Sequence, residues 1–156
     1  MAALDARFQS KMESGTDLVG RHRPPPWWQE PAMIVDTARA AADLLSPLFA
    51  GAAGEKLAVL HLDAERRMIA LEEHDVSGRD EIELPMRAIF AAALRDKARG
   101  MIIAHNHPSG DPRPSRADKA ATRRLAETAD ALGIILHDHL IFAGADCSSF
   151  RQLGLL

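Results

Sequence analysis

Two histidines, a serine and an aspartate lie close together near the middle of the chain. His105 and His107 are separated by one residue, and Ser115 and Asp118 follow a loop rich in proline and glycine. Imidazole nitrogens and carboxylate oxygens are zinc ligands, and a catalytic zinc site combines three protein ligands with an open fourth position. The residue types and their spacing therefore predict a metal site formed by His105, His107 and Asp118.

The elements around these residues are suited to bring them together. The apolar run 101–104 predicts a buried strand, whose alternating side chains place His105 and His107 on one face. Ser115 is a good N-cap for the helix that follows, so Asp118 falls in its first turn. A strand end and a helix start can direct the three side chains to one point.

Each part of this motif also has a structural explanation. An H-x-H pair alone indicates a metal only weakly, and S-x-x-D at a helix start is typical of a capping box. Asp111 is an alternative ligand, but a helix fixes the position of Asp118 better than the loop fixes Asp111. The combination favours the metal site, because structure alone does not require the histidines.

A second H-x-H pair occurs later in the chain. His137 and His139 flank Asp138 between two apolar runs, and no adjacent turn or helix start supplies a third ligand. We interpret these residues mainly as polar residues of the core that need hydrogen-bond partners. One of the two histidines could also orient a ligand of the metal site.

The hydrophobic pattern predicts helices that alternate with strands. The first predicted helix is opened by Pro31 and is ended or kinked at Pro47. The second is opened by Pro85, runs to about residue 99 and is capped by Gly100. The third runs from 116 to 132 and ends at Gly133. The predicted strands are 57–63, 68–71, 81–84, 101–105 and 134–142, with a turn at 64–66, a loop at 75–79 and a helical turn from Ser148. This alternation predicts an α/β fold, a three-layer α/β/α sandwich with a mixed sheet.

Composition limits the class of protein. A chain of 156 residues with 47% hydrophobic residues is expected to form one domain. Its formal charge of −3 gives no overall basic field that would attract nucleic acid or membrane. Because Cys147 is the single cysteine, an internal disulfide and a cysteine-rich zinc site are excluded, and a cytoplasmic location is expected.

The two ends of the sequence differ in character. Residues 1–30 contain few aliphatic residues and are predicted to be poorly structured, without a signal peptide, while 31–156 form the domain. Trp27 and Trp28 follow three prolines and could be a partner motif, or they could pack onto the domain. No apolar run is long enough to span a bilayer, so no membrane partner is expected.

The segment HNHPSGDPRPSRAD resembles the JAB/MPN (JAMM) metalloprotease superfamily. The pattern of that superfamily is H-x-H, seven residues, S, two residues and D, which here falls on His105, His107, Ser115 and Asp118. The amino-acid sequence of this segment, and of the stretch RRLAETADALGIILHDHLIF after it, is similar to sequences of the RadC-like bacterial branch. The resemblance covers roughly residues 35–153 and implies a cytidine-deaminase-like fold.

The resemblance also implies a mechanism. Zn²⁺ held by His105, His107 and Asp118 would activate a water for hydrolysis of a peptide or isopeptide bond, and the Ser115 hydroxyl would stabilise the oxyanion. The glutamate that serves as general base in the family lies at the start of the strand after the first helix, a place that Glu55 matches. Rival glutamates occur on later predicted strands, at Glu72, Glu73, Glu81 and Glu83.

Two other functions compete with the hydrolase. RadC proteins carry a helix-hairpin-helix region upstream, and residues 1–30 show no such motif, so DNA binding is expected to be weak. A DNA repair or processing accessory would use a local basic cluster, Arg113, Arg116, Lys119, Arg123 and Arg124, which could equally be a solvated helix face. A non-catalytic JAB-type interaction domain is the other alternative. A nucleobase deaminase is disfavoured, because its pair of cysteine ligands is missing.

Overall fold

The computed structural model describes residues 21–22, 33–75 and 84–156. These residues form three helices and a six-stranded sheet. The elements in chain order are β1 (Arg21–His22), α1 (Ala38–Phe49), β2 (Lys56–Leu62), β3 (Met68–Asp75), α2 (Met86–Arg95), β4 (Gly100–Asn106), α3 (Arg116–Ala131), β5 (Ile135–Ala143) and β6 (Asp146–Ser149).

The sheet is mixed, as the sequence predicts. Its strand order is β1-β3-β2-β4-β5-β6, in which β4 and β5 are parallel and every other neighbouring pair is antiparallel. Parallel strands need a crossover connection, and α3 provides it between β4 and β5. The predicted metal-binding residues lie on this β4–α3–β5 unit.

Helices cover both faces of the sheet and bury a hydrophobic core on each side. Buried residues of α1 pack against one face, and buried residues of α2 and α3 pack against the other. Neighbouring residues of β2 alternate between the two cores, with Val59 in the α2/α3 core and Leu60 in the α1 core. The predicted three-layer α/β/α sandwich is therefore confirmed.

The first helix begins later than predicted and continues past its proline. The Thr37 side chain accepts a hydrogen bond from the Ala40 N–H, so the helix starts there, while Ile34 is exposed and pairs with Arg67 in an isolated bridge. Pro47 lies inside α1 and does not end it. Because α1 ends at Phe49, Pro47 removes only one hydrogen bond of the last turn.

The second helix ends before its predicted limit, and Gly100 is not its cap. Helix α2 ends at Arg95, and Lys97 adopts a positive φ of 55° before the chain turns into β4. Gly100 is the first residue of β4, where the His137 ring lies so close that a Cβ atom would overlap it. A side chain at position 100 would therefore have to displace the His137 ring, and the glycine does not serve a helix end.

Three further segments differ from the predicted elements or lie outside the described residues. β3 extends to Asp75, so the loop predicted from that residue starts later. The C-terminal segment first forms the strand β6 over 146–149, and the helical turn predicted from Ser148 follows it, with the Leu153 N–H donating to Ser149 O at 3.0 Å. Several predictions fall on residues that the structure does not describe. These are Pro31, residues 81–83 of a predicted strand, and the segment 1–30 apart from β1, which includes the paired tryptophans. No helix in the described ranges is long and apolar enough to cross a membrane.

Candidate metal centre

The side chains of His105, His107 and Asp118 meet at one point. His105 Nε2 lies 2.9 Å from His107 Nε2. The Asp118 carboxylate oxygens lie 3.3 Å from His105 Nε2 and 3.4 Å from His107 Nε2. The His105 side chain is 0% exposed and that of Asp118 3%, whereas that of His107 is 14% exposed. The cluster is therefore buried on one side and reaches solvent beside His107.

Local structure holds the three residues in place. Strand β4 carries His105, and the His107 N–H continues its pairing with β5 by donating to Phe142 O at 2.8 Å. At the start of α3, Ser115 Oγ accepts from the Asp118 N–H at 3.0 Å, and Asp118 Oδ2 accepts from the Ser115 N–H at 2.7 Å. The capping box is present, and it orients the carboxylate towards the two histidines.

The contacts of His107 determine which of its ring nitrogens carries hydrogen. His107 Nδ1 lies 2.7 Å from the main-chain oxygen of Asp111. A carbonyl oxygen only accepts hydrogen bonds, so Nδ1 is the donor. In the neutral ring, Nε2 then presents a lone pair to the cluster.

A series of hydrogen bonds determines in the same way which ring nitrogen of His105 carries hydrogen. The Thr122 hydroxyl donates to Asp118 O at 2.6 Å, so its oxygen accepts from His139 Nδ1, also at 2.6 Å. His139 Nε2 is then the acceptor for His105 Nδ1 at 2.7 Å. His105 Nε2 therefore presents a lone pair as well.

This donor set fits a metal cation. Two imidazole lone pairs 2.9 Å apart repel each other, and an anionic carboxylate lies beside them. The ligand atoms of His105, His107 and Asp118 all lie within 4.8 Å of one another. Two neutral imidazoles and one carboxylate are a set found in catalytic zinc sites, and hydrogen-bonded imidazole Nδ1–H groups are typical of metal-ligating histidines.

The two aspartates near the site have different roles. Burial raises the pKa of Asp118, whereas hydrogen bonds from Ser115 favour the charged carboxylate and lower that pKa. The Asp111 carboxylate instead pairs with Arg113, whose hydrogen bonds lower the pKa of Asp111 to about 2. Asp111 contacts the cluster through its main-chain oxygen, which accepts from His107 Nδ1. The geometry therefore favours the carboxylate of Asp118, and not that of Asp111, as the metal ligand.

The second H-x-H pair contributes one residue to the site. His139 contacts His105, stacks on Phe150 with ring centroids 4.5 Å apart, and is buried. Burial lowers the pKa of His139 well below its usual value. Asp138 is the core polar residue predicted, because its carboxylate accepts from the Ser149 hydroxyl and from the Arg151 N–H. His137 instead lies over Gly100.

The register of the sheet brings the start of β2 to the end of β4. Leu57 of β2 is paired with His105 as the last pair of an antiparallel ladder, and Glu55 precedes Leu57 by two residues just as His107 follows His105 by two. Residues opposite each other in an antiparallel pair share a face, and here it is the face of α2 and α3 that carries His105. The Glu55 side chain is partly exposed.

The rival glutamates within the described residues lie elsewhere. Glu73 is opposite Ala58, whose side chain lies in the α1 core, so Glu73 is on the other face of the sheet. Glu72 is opposite Val59 and belongs to a separate group with His61 and Asp96. Glu81 and Glu83 lie outside the described residues.

That separate group was not anticipated from the sequence. The ligand atoms of His61, Glu72 and Asp96 lie within 4.8 Å of one another, and His61 Nδ1 is 3.1 Å from Asp96 Oδ2. The Arg95 guanidinium lies 3.5 Å from a carboxylate oxygen of both Glu72 and Asp96, so a cation is already present. The three residues come from different elements, and no short motif could have joined them.

The sequence of this chain is similar to a known domain family and to curated proteins. Residues 35–155 match the family described as RadC-like JAB domain. The chain is 34% identical over 153 residues to UPF0758 protein YfjY of Escherichia coli, an alignment that covers 98% of this chain and 92% of that protein. It is 43% identical over 102 residues to a UPF0758 protein of Rhodobacter capsulatus, covering 65% of this chain and 48% of the relative.

A third relative has a similar partial coverage. UPF0758 protein STH371 of Symbiobacterium thermophilum is 38% identical over 118 residues, which are 76% of this chain and 50% of that protein. The chain thus spans about half the length of several curated relatives it matches. Its fold and site define a JAB-type α/β domain with a candidate metal centre. The chain belongs to the RadC-like JAB domain family.

Proposed function

We propose that this chain is a zinc-dependent hydrolase of the JAMM metalloprotease type, acting on a peptide or isopeptide bond. The observation that carries the proposal is the convergence of His105 Nε2, His107 Nε2 and the Asp118 carboxylate, with both imidazole lone pairs directed inward. Zinc held there would supply a Lewis acid that lowers the pKa of a coordinated water to about 7 and polarises the scissile carbonyl.

Glu55 is the proposed general base. It is partly exposed and precedes Leu57, the partner of His105, by two residues, so continuing that register would bring it beside His107. Its carboxylate takes the proton of the attacking water and then gives that proton to the leaving amine as the C–N bond breaks. This role uses Glu55 beside the metal site and not as a metal ligand.

Ser115 is the proposed donor to the developing oxyanion. Its oxygen accepts from the Asp118 N–H, so a lone pair is used in the cap and the hydroxyl hydrogen can still donate. A hydroxyl held beside the reacting carbonyl stabilises negative charge in the transition state. The same side chain therefore serves both the helix cap and the chemistry.

Metal analysis tests the proposal directly. Purified protein should carry about one zinc per chain, and His107→Ala should lose most of it. His137→Ala is the matched control, because it removes the other H-x-H histidine that lies away from the ligand cluster. Zinc retained in His107→Ala but lost in His137→Ala would overturn the assignment.

A bond-cleavage screen separates the hydrolase from the two other functions. Zinc-loaded protein should cleave members of a library of synthetic peptides and lysine isopeptides, and mass spectrometry would identify the cleavage products. The basic side chains of the α3 region, Arg113, Arg116, Lys119, Arg123 and Arg124, are exposed. Tight duplex-DNA binding at physiological salt without cleavage would favour the processing accessory, and zinc binding with neither property would favour an interaction domain.

A further inference from the structure

The residue between the two cluster histidines has a side chain directed away from the cluster and towards β2. Asn106 is buried, with 6% of its surface exposed. Its main chain is already used on the other side, where β4 pairs Asn106 with Phe142 of β5. Its side-chain amide is therefore available to the strand on the opposite edge of β4.

The amide group makes two hydrogen bonds, both to the segment that contains Glu55. Asn106 Oδ1 accepts from the Lys56 N–H at 2.8 Å, and Asn106 Nδ2 donates to Gly54 O at 3.0 Å. Gly54 O belongs to the peptide group before Glu55, and the Lys56 N–H belongs to the peptide group after it. One side chain therefore fixes both peptide groups next to the Glu55 Cα.

This contact replaces backbone pairing that has ended. The β2–β4 ladder is paired from Leu62↔Gly100 as far as Leu57↔His105. Beyond that point the Asn106 amide supplies one acceptor and one donor, as a peptide group of a neighbouring strand would. The segment that leads into β2 is thereby held to the end of β4 through both peptide groups that flank Glu55.

We infer that Asn106 is the positioning residue for Glu55, an inference that rests on the proposed function of Glu55 as general base. Asn106 acts through the backbone, without touching the reacting atoms. It couples the strand that carries the histidine ligands to the residue that carries the base. Losing the amide should free the Glu55 backbone while leaving His105, His107 and Asp118 able to bind zinc.

The test uses zinc alone as the probe and needs no substrate. In wild type, zinc loading should shift the ¹³C resonance of the Glu55 carboxylate, assigned by its absence in Glu55→Gln, because a divalent cation lies nearby. In Asn106→Ala, zinc content should stay at about one per chain. The Glu55 shift should be largely lost, and exchange of the Lys56 amide should rise by about tenfold.

Two further variants keep the result interpretable. Asn106→Asp retains the acceptor for Lys56 but loses the donor to Gly54 O, so it should give an intermediate response if Asn106→Ala does not fold. Thr37→Ala removes the N-cap of α1 and should leave the Glu55 response unchanged, which controls for loss of stability. A normal Glu55 shift in both Asn106 variants would overturn the inference. No Glu55 shift even in wild type would instead reject Glu55 as the base, and the inference with it.

Discussion

His105 Nδ1 lies 2.7 Å from His139 Nε2, and this contact joins the two H-x-H pairs of the chain. Because Thr122 Oγ1 holds His139 Nδ1 from the other side, the His139 ring can only accept from His105. The contact keeps the hydrogen of His105 on Nδ1 and leaves Nε2 able to bind a metal.

Replacing His139 should therefore weaken metal binding without removing a ligand. His139→Phe retains a flat ring that can stack on Phe150, but it leaves His105 Nδ1–H without its acceptor. We expect zinc affinity to fall by about 10- to 100-fold, as measured by competition with a chromogenic chelator. Thr122→Val should have a smaller effect in the same direction. His137→Phe is the control, and an equal loss in that variant would contradict the role of His139.

The base and the ligand carboxylates should respond differently to conversion into amides. Glu55→Gln should keep about one zinc per chain and lose hydrolysis by about 100- to 10,000-fold, because general-base removal has effects of that size. Asp118→Asn should lose zinc and activity together, because an amide is a weaker ligand than a carboxylate. The measurements are metal content and cleavage rate of a substrate from the library screen. Full activity in Glu55→Gln would assign the base to another residue.

Two helix caps provide a matched pair of variants. Ser115→Ala and Thr37→Ala each remove a side chain that accepts from a helix N–H. Each should lower the free energy of unfolding by about 0.5–2 kcal/mol in urea titrations. Ser115→Ala alone should also slow hydrolysis by about 100- to 1,000-fold, because it removes an oxyanion donor. Zinc should remain bound, since Asp118 Oδ2 accepts from the main-chain N–H of residue 115. Equal rates in the two variants would exclude the oxyanion role.

Gly100 should tolerate a methyl group only if His137 is also shortened. A Cβ atom at Gly100 would overlap the His137 ring, so Gly100→Ala should lower the free energy of unfolding by about 1–3 kcal/mol. In the double variant with His137→Ala, most of that loss should disappear, which makes the two substitutions non-additive. Urea titrations of the two single variants and the double variant measure this coupling. Additive losses would show that the strain at Gly100 has another source.

The sequence located the ligand cluster because its parts depend on local geometry. Strand alternation places His105 and His107 on one face, and the capping pattern places Asp118 in the first turn of α3. The contact between His105 and His139 depends on how β4 and β5 are aligned, which pairs Ile103 with His139 and which no local pattern specifies.

The prediction that Gly100 caps a helix was wrong for a related reason. A glycine after a helical pattern is typical of a C-cap, and Gly100 was assigned on that basis. The space at Gly100 is instead filled by the ring of His137, a residue of another strand. The group of His61, Glu72 and Asp96 likewise forms only when three separate elements pack together.

The β4–α3–β5 crossover contains all three proposed ligands together with Thr122 and His139, whereas Glu55 lies just before β2. Under the proposed function, the metal and the general base would therefore be supplied by different parts of the chain, which are joined along the β2–β4 pair. Divergence confined to the segment before β2 would then remove hydrolysis and leave a metal-binding crossover intact. A descendant of this domain could in that way lose the proposed activity in one step and keep the metal as a structural element.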